Sequence, residues 1–413
     1  MRLLTMNLLM ALPLVGQATV IKSPVPIGSK QGSVELDIAG LRSKAESGDA
    51  TAQTQLGLAY GRGQGVPKDE AQAVKWYQKA ANQGNPEAQG DLGACYALGR
   101  GVMKDTTEAV RWYRKAAEQG YVRAQVMLGF AYRIGDGVAQ DFNEAVKWYL
   151  RAAEQGNAMA QFSLGNMYQN GIGVQQDFQA AVVWLSKSAN QGYVSAQNNL
   201  GILYVNGQGV TKDYKIAVSL FRKAVEQGDA MGQYNLGIRY GLGQGVPQDY
   251  QASANWVRLA AEQGLAVAQT FLGVMYSEGK FLPEDSKASA AWYLKAAEQG
   301  RNDAQYYLGQ LYLNGRGVPL NTETGLAWVR KAAAGGWVDA QVLLGLAYRE
   351  GKVVPLDLVE AHVWFNLAAA NGHELSGKAR DDLGAKMTQE QIREAQSRAR
   401  LITEQQTNLG SLK

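Results

Sequence analysis

Residues 49–84 have the sequence DATAQTQLGLAYGRGQGVPKDEAQAVKWYQKAANQG, and this pattern recurs eight more times along the chain. A Leu-Gly pair begins at Leu56, Tyr60 follows four residues later, and Trp76 follows 16 residues after the tyrosine. The Leu-Gly pairs keep a constant spacing of 36 residues as far as Leu344. Nine units of 36 residues therefore cover 49–372, and a fixed period of this length is typical of solenoids built from repeats.

Each unit is predicted to be a pair of helices. Ala52, Leu56 and Tyr60 are spaced by four residues, which places them on one face of an α-helix. The next segment, GRGQGV at 61–66, is too rich in glycine to continue that helix at low cost. Asp69 is predicted to cap a second helix by accepting hydrogen bonds from its free amides. We call the two helices of each unit A and B.

Glycine supplies 48 of the 413 residues, about 12 % against a usual share of about 7 %, and the repeat explains the excess. Gly57 lies within helix A, where glycine costs about 1 kcal/mol relative to alanine. Its recurrence in all nine units predicts that another helix approaches too closely for a Cβ atom. Gly84 is predicted to end helix B in the left-handed conformation. Phe281 and Val353 replace the second loop glycine of their units, so we expect those two turns to differ in shape.

The fold predicted from this pattern is all-α: an α/α superhelical solenoid of nine 36-residue helix-turn-helix repeats with capping helices at both ends. Neither helix can bury its apolar stripe alone, so we expect the pairs to stack, with each tryptophan filling space beside small residues of its neighbours. Burial of one large aromatic side chain stabilises by roughly 2–3 kcal/mol. Tryptophan occupies its position in eight of the nine units, and Leu220 replaces it in the other.

The N-terminal residues 1–18 are predicted to be a signal peptide. A mainly apolar run of 13 residues, 3–15, follows Arg2, and it is too short for a bilayer span of about 20 residues. Gly16 and Ala18 suit the −3 and −1 positions of a cut after Ala18. We therefore expect a periplasmic or secreted mature chain with no integral membrane segment.

The segments outside the repeats are predicted from their composition. Residues 19–36 are expected to be a flexible lead-in, and 37–48 a capping helix that covers the first repeat. Residues 373–401 form an amphipathic segment that could seal the last repeat as a C-terminal cap. The tail at 402–413 is expected to be frayed.

Composition excludes several classes of function. A net charge of +4, from 41 basic and 37 acidic residues, gives no strong basic excess, so no nucleic-acid partner is expected. Two histidines and one cysteine leave little for a metal site or a disulfide framework, and no cofactor is expected. His362 and His373 are interpreted as surface or packing residues, and Cys95 as a half-buried structural thiol. No catalytic constellation is found, so we predict that the protein is not an enzyme.

The repeat also carries a family resemblance. The pattern AQ-x-x-LG-x-x-Y-x-x-G-x-GV-x-x-D…A-x-x-WY-x-KAA-x-x-G resembles the Sel1-like repeat, a relative of the tetratricopeptide repeat with a longer internal turn. The resemblance covers about four-fifths of the chain, with local departures such as Gly232 and Leu220. It implies an adaptor, because Sel1-like proteins act in envelope assembly, signalling and host contact.

The predicted contact residues lie on helix A, two and six positions after the first alanine of each unit. These positions vary between units and are expected to line the inner surface of the superhelix, where uncharged aromatic and amide side chains favour protein recognition. Packing of several of these side chains between adjacent A helices is the alternative. The candidate residues are four aromatic contacts and two polar partners: Phe130, Phe162, Tyr234, Tyr306, Asn166 and Asn198.

The sequence therefore favours a non-catalytic, monomeric scaffold or adaptor of the cell envelope, or a secreted one, that binds a protein or peptide on its concave face. The alternative is an envelope enzyme or binder that acts on β-lactams or peptidoglycan. A carbohydrate-binding scaffold is a third possibility, and it depends only on the same aromatic row. The sequence leaves open the identity of the partner and whether the concave or convex face binds.

Overall fold

The computed structural model describes residues 37–411, with side chains as far as Gln406, and this range contains 21 helices. The predicted signal peptide and lead-in lie outside the described residues. The chain divides into two compact units between Asp213 and Tyr214. Each unit is a stack of helix pairs that repeat every 36 residues, which confirms the predicted all-α solenoid of nine repeats.

In the first unit, α1 (Ile38–Glu46) precedes the repeats. The A helices of repeats one to five are α2 (Ala50–Arg62), α4 (Pro86–Leu98), α6 (Val122–Ile134), α8 (Ala158–Asn170) and α10 (Val194–Asn206). The B helices of repeats one to four are α3 (Glu70–Asn82), α5 (Thr106–Glu118), α7 (Phe142–Glu154) and α9 (Phe178–Asn190).

The second unit begins with the B helix of repeat five, α11 (Tyr214–Glu226). The A helices that follow are α12 (Ala230–Leu242), α14 (Ala266–Glu278), α16 (Asn302–Asn314) and α18 (Val338–Glu350). Their B helices are α13 (Tyr250–Glu262), α15 (Ser286–Glu298), α17 (Thr322–Ala334) and α19 (Leu358–Ala370). Two further helices, α20 (Glu374–Gly384) and α21 (Gln389–Ser411), complete the described chain.

The predicted helix starts and stops are confirmed. The Asp69 carboxylate accepts a hydrogen bond of 2.9 Å from the backbone N–H of Gln72, and a side-chain cap is found at eight of the predicted positions: Asp69, Asp105, Asp141, Asp177, Asp249, Asp285, Asn321 and Asp357. Gly63 ends helix A with φ 70°, and Gly84 follows helix B with φ 91°. Only glycine has a left-handed φ among the described residues, so the turns at Phe281 and Val353 differ from the others, as expected.

The two helices of a repeat meet at the Leu-Gly pair. A Cβ atom on Gly57 would lie 2.7 Å from Cδ1 of Tyr77 in helix B, closer than real Cβ contacts come. The same geometry recurs at seven other Leu-Gly pairs, with distances of 2.6–3.0 Å: Gly93–Tyr113, Gly129–Tyr149, Gly165–Leu185, Gly237–Val257, Gly273–Tyr293, Gly309–Val329 and Gly345–Phe365. The predicted close approach is therefore confirmed.

The side chain at the centre of this contact is the residue that follows the tryptophan, while the tryptophans pack beside small residues of neighbouring repeats, as Trp112 does with Ala80 and Ala81. Tyr77 is buried against Gly57, whereas Trp76 is half-buried and carries the Lys79 ammonium 4.0 Å from its ring centre. Only Trp112, Trp148 and Trp364 of the eight repeat tryptophans are buried. Tyr77 rather than Trp76 faces Gly57 because the helix B position opposite the glycine is one residue beyond the tryptophan.

Buried glutamines join successive repeats. Gln89 donates from Nε2 to the carbonyl oxygen of Ala81, at the end of the preceding helix B, over 3.1 Å. Its Oε1 accepts a bond of 2.8 Å from Gln119 Nε2, at the end of its own helix B. All nine equivalent glutamines are buried: Gln53, Gln89, Gln125, Gln161, Gln197, Gln233, Gln269, Gln305 and Gln341. We call this series the glutamine ladder.

The ladder is interrupted in repeat eight. Gly335 stands where the other repeats end helix B with an amide side chain, so Oε1 of Gln305 is buried without a hydrogen-bond partner. The Nε2 group of Gln305 still donates to the carbonyl oxygen of Ala297 over 3.1 Å. One half of the usual connection is therefore absent between α16 and the end of α17.

The C-terminal segment covers the last repeats with two helices. Leu383, Ala395 and Ala399 are buried, in agreement with a capping role. The final helix continues to Ser411 rather than ending near residue 401, and Gln406 Nε2 donates to the carbonyl oxygen of Ala334 over 2.8 Å. The tail that was expected to be frayed is thus helical over its described part. None of the described helices combines the length and apolar character that a membrane span requires.

Candidate functional site

Four of the six candidate contact residues are packed inside the stacks. Phe162 is 2 % exposed, and its ring centre lies 5.0 Å from that of Tyr193, the residue that precedes the next helix A. Asn198 is also buried. The first predicted position therefore packs between adjacent A helices, which is the alternative that the sequence left open.

The two candidates of this position in the second unit are buried in the same way. The Tyr234 ring lies 6.0 Å from Phe271 in an edge-on arrangement, and the Tyr306 ring lies 6.5 Å from Trp337. The Tyr306 hydroxyl accepts a hydrogen bond of 2.7 Å from Gln310 Nε2. Such burial does not fit a contact role, because a partner could not reach these side chains.

The remaining two candidates, Phe130 and Asn166, are half-buried and occupy the second predicted position. The Arg133 guanidinium lies 5.3 Å from the Phe130 ring centre, and Asn166 Oδ1 accepts a bond of 2.6 Å from Asn199 Nδ2. One helical turn later, Leu98 and Ile134 are 37 % and 44 % exposed. These partly open positions therefore share one side of the A helices.

We call this surface of the first unit the A-helix strip, and it consists of Leu58, Ala94, Leu98, Phe130, Ile134 and Asn166, on α2, α4, α6 and α8. In the second unit the counterparts Ile238 and Val274 are buried, whereas Gln310 is half-buried and Leu346 is exposed. The strip is mostly apolar, which is typical of the central part of a protein-recognition surface.

A pocket of about 70 Å³ lies at the end of the strip, between repeats one and two. Leu58, Ala94 and Leu98 belong to both the strip and the pocket. The other uncharged lining residues are Gly61, Ala73, Tyr77 and Cys95. The charged lining residues are Arg62, Glu70, Asp91, Arg100 and Arg123.

Asp91 is a buried carboxylate in this pocket, with 7 % of its surface exposed. Its Oδ1 accepts a hydrogen bond of 2.9 Å from the Arg123 guanidinium. Burial raises the pKa of Asp91 to about 6, against the opposing effect of the Arg123 charge. Burial, and then the Asp91 charge, raise the pKa of the Cys95 thiol to about 12. The thiolate is the nucleophilic form of cysteine, so the raised pKa leaves Cys95 protonated and weakly reactive at neutral pH.

Sequence reasoning did not select Asp91 and Arg123, although one signal was available. Asp91 is the only charged residue at its place in the nine units, where the others are Gln55, Met127, Ser163, Asn199, Asn235, Phe271, Tyr307 and Leu343. Its partner lies 32 residues later, on the next A helix. A charge that breaks the pattern of a repeat is therefore a useful indicator of a site.

The two histidines occupy structural positions. His373 precedes α20, and its Nδ1 accepts a bond of 3.2 Å from the backbone N–H of Ser376. His362 is buried in α19, and burial lowers the pKa of its imidazole. Across the described range, no group of three or more His, Cys, Asp and Glu side chains is arranged to hold a metal ion.

The Sel1 repeat model matches the chain at nine places, residues 50–85, 86–121, 122–157, 158–193, 194–229, 230–265, 266–300, 302–337 and 338–373. These bounds are shifted by about one residue from the units defined above. Comparison with curated protein sequences gave no match.

Two solved structures are similar over most of the chain. One is c5321, described as a protective antigen present in uropathogenic Escherichia coli strains that displays an SLR fold. It is 33 % identical, with 92 % of this chain and 98 % of that chain covered and a TM-score of 0.55. The other is a Sel1 repeat protein from Oxalobacter formigenes, 33 % identical, with 76 % and 96 % covered and a TM-score of 0.58. Nine in-phase matches and these two relatives show that the chain belongs to the Sel1 repeat family.

Proposed function

We propose that this protein is a non-catalytic scaffold of the cell envelope, or a secreted one, that binds a protein or an extended peptide along the A-helix strip. Sel1 repeat proteins are generally scaffolds for protein–protein interaction, and the fold is typically non-catalytic. The observation that carries the proposal is the strip itself, where consecutive A helices leave matching positions partly open and apolar.

The proposed envelope or secreted location has two supports. Residues 1–18 have the pattern of a signal peptide, and a relative with 33 % identity is a protective antigen of uropathogenic E. coli. Expression of the full chain in a Gram-negative host tests the location. We expect periplasmic or extracellular protein whose N-terminal residue is Thr19, and intact Met1 in the cytoplasmic fraction would contradict the location.

Within this proposal the six candidate residues have different tasks. Phe130 and Asn166 are proposed to contact the partner, because they are partly open on the strip. Phe162, Tyr234 and Tyr306 are proposed to hold adjacent A helices in register, because each ring lies near an aromatic ring of the next repeat, and Asn198 is proposed to be structural because it is buried. Truncating a buried member should therefore lower stability, whereas changing a strip residue should lower partner capture.

A triple variant of the strip tests the binding face. Leu98→Glu, Phe130→Ser and Ile134→Glu place polar groups on partly open positions, so we expect the free energy of unfolding to change little while partner capture falls at least tenfold. Val183→Glu is the matched control, because Val183 is 51 % exposed on helix B of the same unit.

Capture from envelope extract of the source organism is measured by quantitative mass spectrometry for wild type, triple variant and control. Proteins that wild type and control enrich and the triple variant loses would support the strip. Equal enrichment by all three proteins would show that the partner does not bind there, provided that urea unfolding shows the triple variant to be folded.

A further inference from the structure

The pocket between repeats one and two has a counterpart in the second unit. Gly101, the second loop glycine of repeat two, corresponds to Phe281 in repeat seven, 180 residues or five repeats later. Gly101 adopts φ 68°, which a phenylalanine would rarely adopt. Phe281 takes no left-handed φ and is buried, with 6 % of its surface exposed.

Phe281 is surrounded by the same positions that line the pocket. Its ring centre lies 4.6 Å from that of Tyr250 and 6.3 Å from that of Phe271. A Cβ atom on Gly241 would lie 2.7 Å from Phe281 Cε1. Counting back 180 residues, Tyr250, Phe271 and Gly241 correspond to Glu70, Asp91 and Gly61, and all three line the pocket. The second unit therefore shows which kind of side chain this space accepts.

Charge distinguishes the pocket from its counterpart. Within the pocket, Asp91 pairs with Arg123 at 2.9 Å, and Glu70 pairs with Lys68 at 2.9 Å. Arg62 and Arg100 add two further positive charges to the lining. A ligand with an apolar ring and a carboxylate would match both the walls and this surplus of positive charge.

We propose that the pocket between repeats one and two binds the phenylalanine side chain of an extended partner peptide, with an adjacent carboxylate of that peptide held by Arg62 and Arg100. This inference rests on the proposed scaffold function, and it names the chemistry of the partner. The pocket shares Leu58, Ala94 and Leu98 with the A-helix strip, so the two surfaces are continuous and a peptide bound along the strip can also reach the pocket.

The size of the pocket indicates how a ring would lie in it. A cavity that encloses benzene completely measures about 150 Å³, and this pocket measures about 70 Å³. A phenyl ring would therefore insert part of the way and keep one edge at the mouth, where the peptide backbone follows the strip.

The repeat pattern supplies a variant that fills the pocket without disturbing the fold. Cys95 corresponds to Met167 and Met275, which are buried at the same position of helix A in repeats four and seven. Cys95→Met therefore adds a side chain that the repeat already accommodates. Cys95 is also the only cysteine of the chain, so the rate of its slow alkylation, compared with and without a ligand at one pH, reports on access to the pocket.

The test uses purified wild-type protein and three probes: N-acetylphenylalanine, N-acetylphenylalaninamide and N-acetylalanine. Binding is measured by ligand-observed NMR, and access by the rate of Cys95 alkylation at pH 8.5. We expect N-acetylphenylalanine to slow alkylation at least fivefold at saturation, the amide to bind at least threefold more weakly, and N-acetylalanine to give no protection. Equal protection by N-acetylalanine and N-acetylphenylalanine would overturn the proposal.

Two variants complete the test. Cys95→Met should lower the affinity for N-acetylphenylalanine at least tenfold, and Arg62→Ala with Arg100→Ala should abolish the preference for the acid over the amide. If N-acetylphenylalanine gives the same NMR binding signals with folded Cys95→Met protein as with wild type, the proposal is overturned. If Cys95→Met fails to fold, the arginine variant decides alone, and an intact preference for the acid then overturns it.

Capture from envelope extract separates this inference from the proposed function. If Cys95→Met captures the partner as wild type does while the strip variant does not, the pocket inference is wrong and the scaffold proposal stands. If neither variant affects capture, both the pocket inference and the scaffold proposal are wrong about the binding face.

Discussion

Repeat two and repeat seven place different residues at the same point of their turns, and their surroundings differ accordingly. In the first unit a pocket of about 70 Å³ lies between repeats one and two, whereas in the second unit the Phe281 ring occupies the equivalent space and contacts Tyr250 and Phe271. The helices on either side keep the same length and register. The side chains at equivalent positions therefore decide whether this space is open or filled, while the framework remains the same.

The packing of the two units reflects this difference. Phe281 belongs to one large cluster of buried residues that runs from Tyr234 to Ala399 in the second unit. The residues around the pocket in the first unit form a smaller cluster, which contains Ala73 and Tyr77. The apolar side chain in this turn thus extends the core of the second unit.

The largest expected effect is the loss of the Phe281 ring. Phe281→Ala should lower the free energy of unfolding by about 3 kcal/mol, because truncating a buried phenylalanine removes apolar contacts and leaves a cavity. Urea unfolding followed by tryptophan fluorescence measures it. Val353→Ala is the matched control, since Val353 stands at the same loop position but is 47 % exposed, and its effect should stay within about 0.5 kcal/mol. Equal effects of the two changes would break the comparison.

The pH dependence of stability tests the pocket in the first unit, where Asp91 stands at the position that Phe271 occupies in the second unit. The pKa of Asp91 is about 6 in the folded chain, above the ordinary value of 3.8 for an aspartate, so the folded state binds the proton more tightly than the unfolded state. Its contribution to stability is therefore complete below about pH 4 and is lost as the pH rises through 6. The loss is at most about 3 kcal/mol, because one pKa unit corresponds to 1.36 kcal/mol.

Asp91→Asn should accordingly flatten the stability profile between pH 4 and 7, measured by urea unfolding at each pH. Asp105→Asn is the control, because Asp105 caps an exposed helix start where repeat eight has Asn321. If the Asp91→Asn variant shows the same stability profile as wild type, the Asp91 carboxyl is not responsible for the pH dependence.

The smallest expected effect concerns the interrupted glutamine ladder, where one repeat again differs from the others at one position. Gly335 has φ −77°, which any residue can adopt, but its Cβ would clash with the Asn302 side chain. The double change Gly335→Gln with Asn302→Ala should supply the missing partner of Gln305. We expect it to be about 1 kcal/mol more stable than Gly335→Ala with Asn302→Ala, the usual net value of a hydrogen bond.

Urea unfolding of the two double variants measures this difference, and the shared Asn302→Ala change cancels. Equal stability of the two proteins would show that the Gln305 oxygen gains nothing from an amide at position 335, and that the ladder contributes little to the stacking of repeats.

Much of the fold was predictable because the residues that start, end and join the helices recur in nearly every one of the nine repeats. Asp69 and its equivalents marked the starts of helix B, Gly84 and its equivalents marked its ends, and Gly57 indicated a close helix contact that Tyr77 makes. The helical period also showed which face of helix A is apolar. It could not show that Tyr77 rather than Trp76 fills the contact, because a difference of one residue in register depends on how two helices are rotated against each other.

The candidate site was less predictable for a related reason. Phe162 and Phe130 both lie on the predicted side of helix A, yet Phe162 is covered by Tyr193 from the next repeat and Phe130 is not buried. Tyr193 precedes the next helix A, 31 positions after Phe162, so this cover follows only from the stacking of the repeats. The pairing of Asp91 with Arg123 across 32 residues likewise follows only from the stacking of α4 and α6.

From the sequence alone, the number, length and boundaries of the repeats, their capping residues and the family were determined, because all of these depend on local patterns that return every 36 residues. Only the tertiary structure decided which side chains are reachable, that Phe281 fills a space whose counterpart in the first unit is an open pocket, and that Asp91 is buried beside Arg123. Those properties depend on the distance and rotation between neighbouring helices, which a one-dimensional period does not contain.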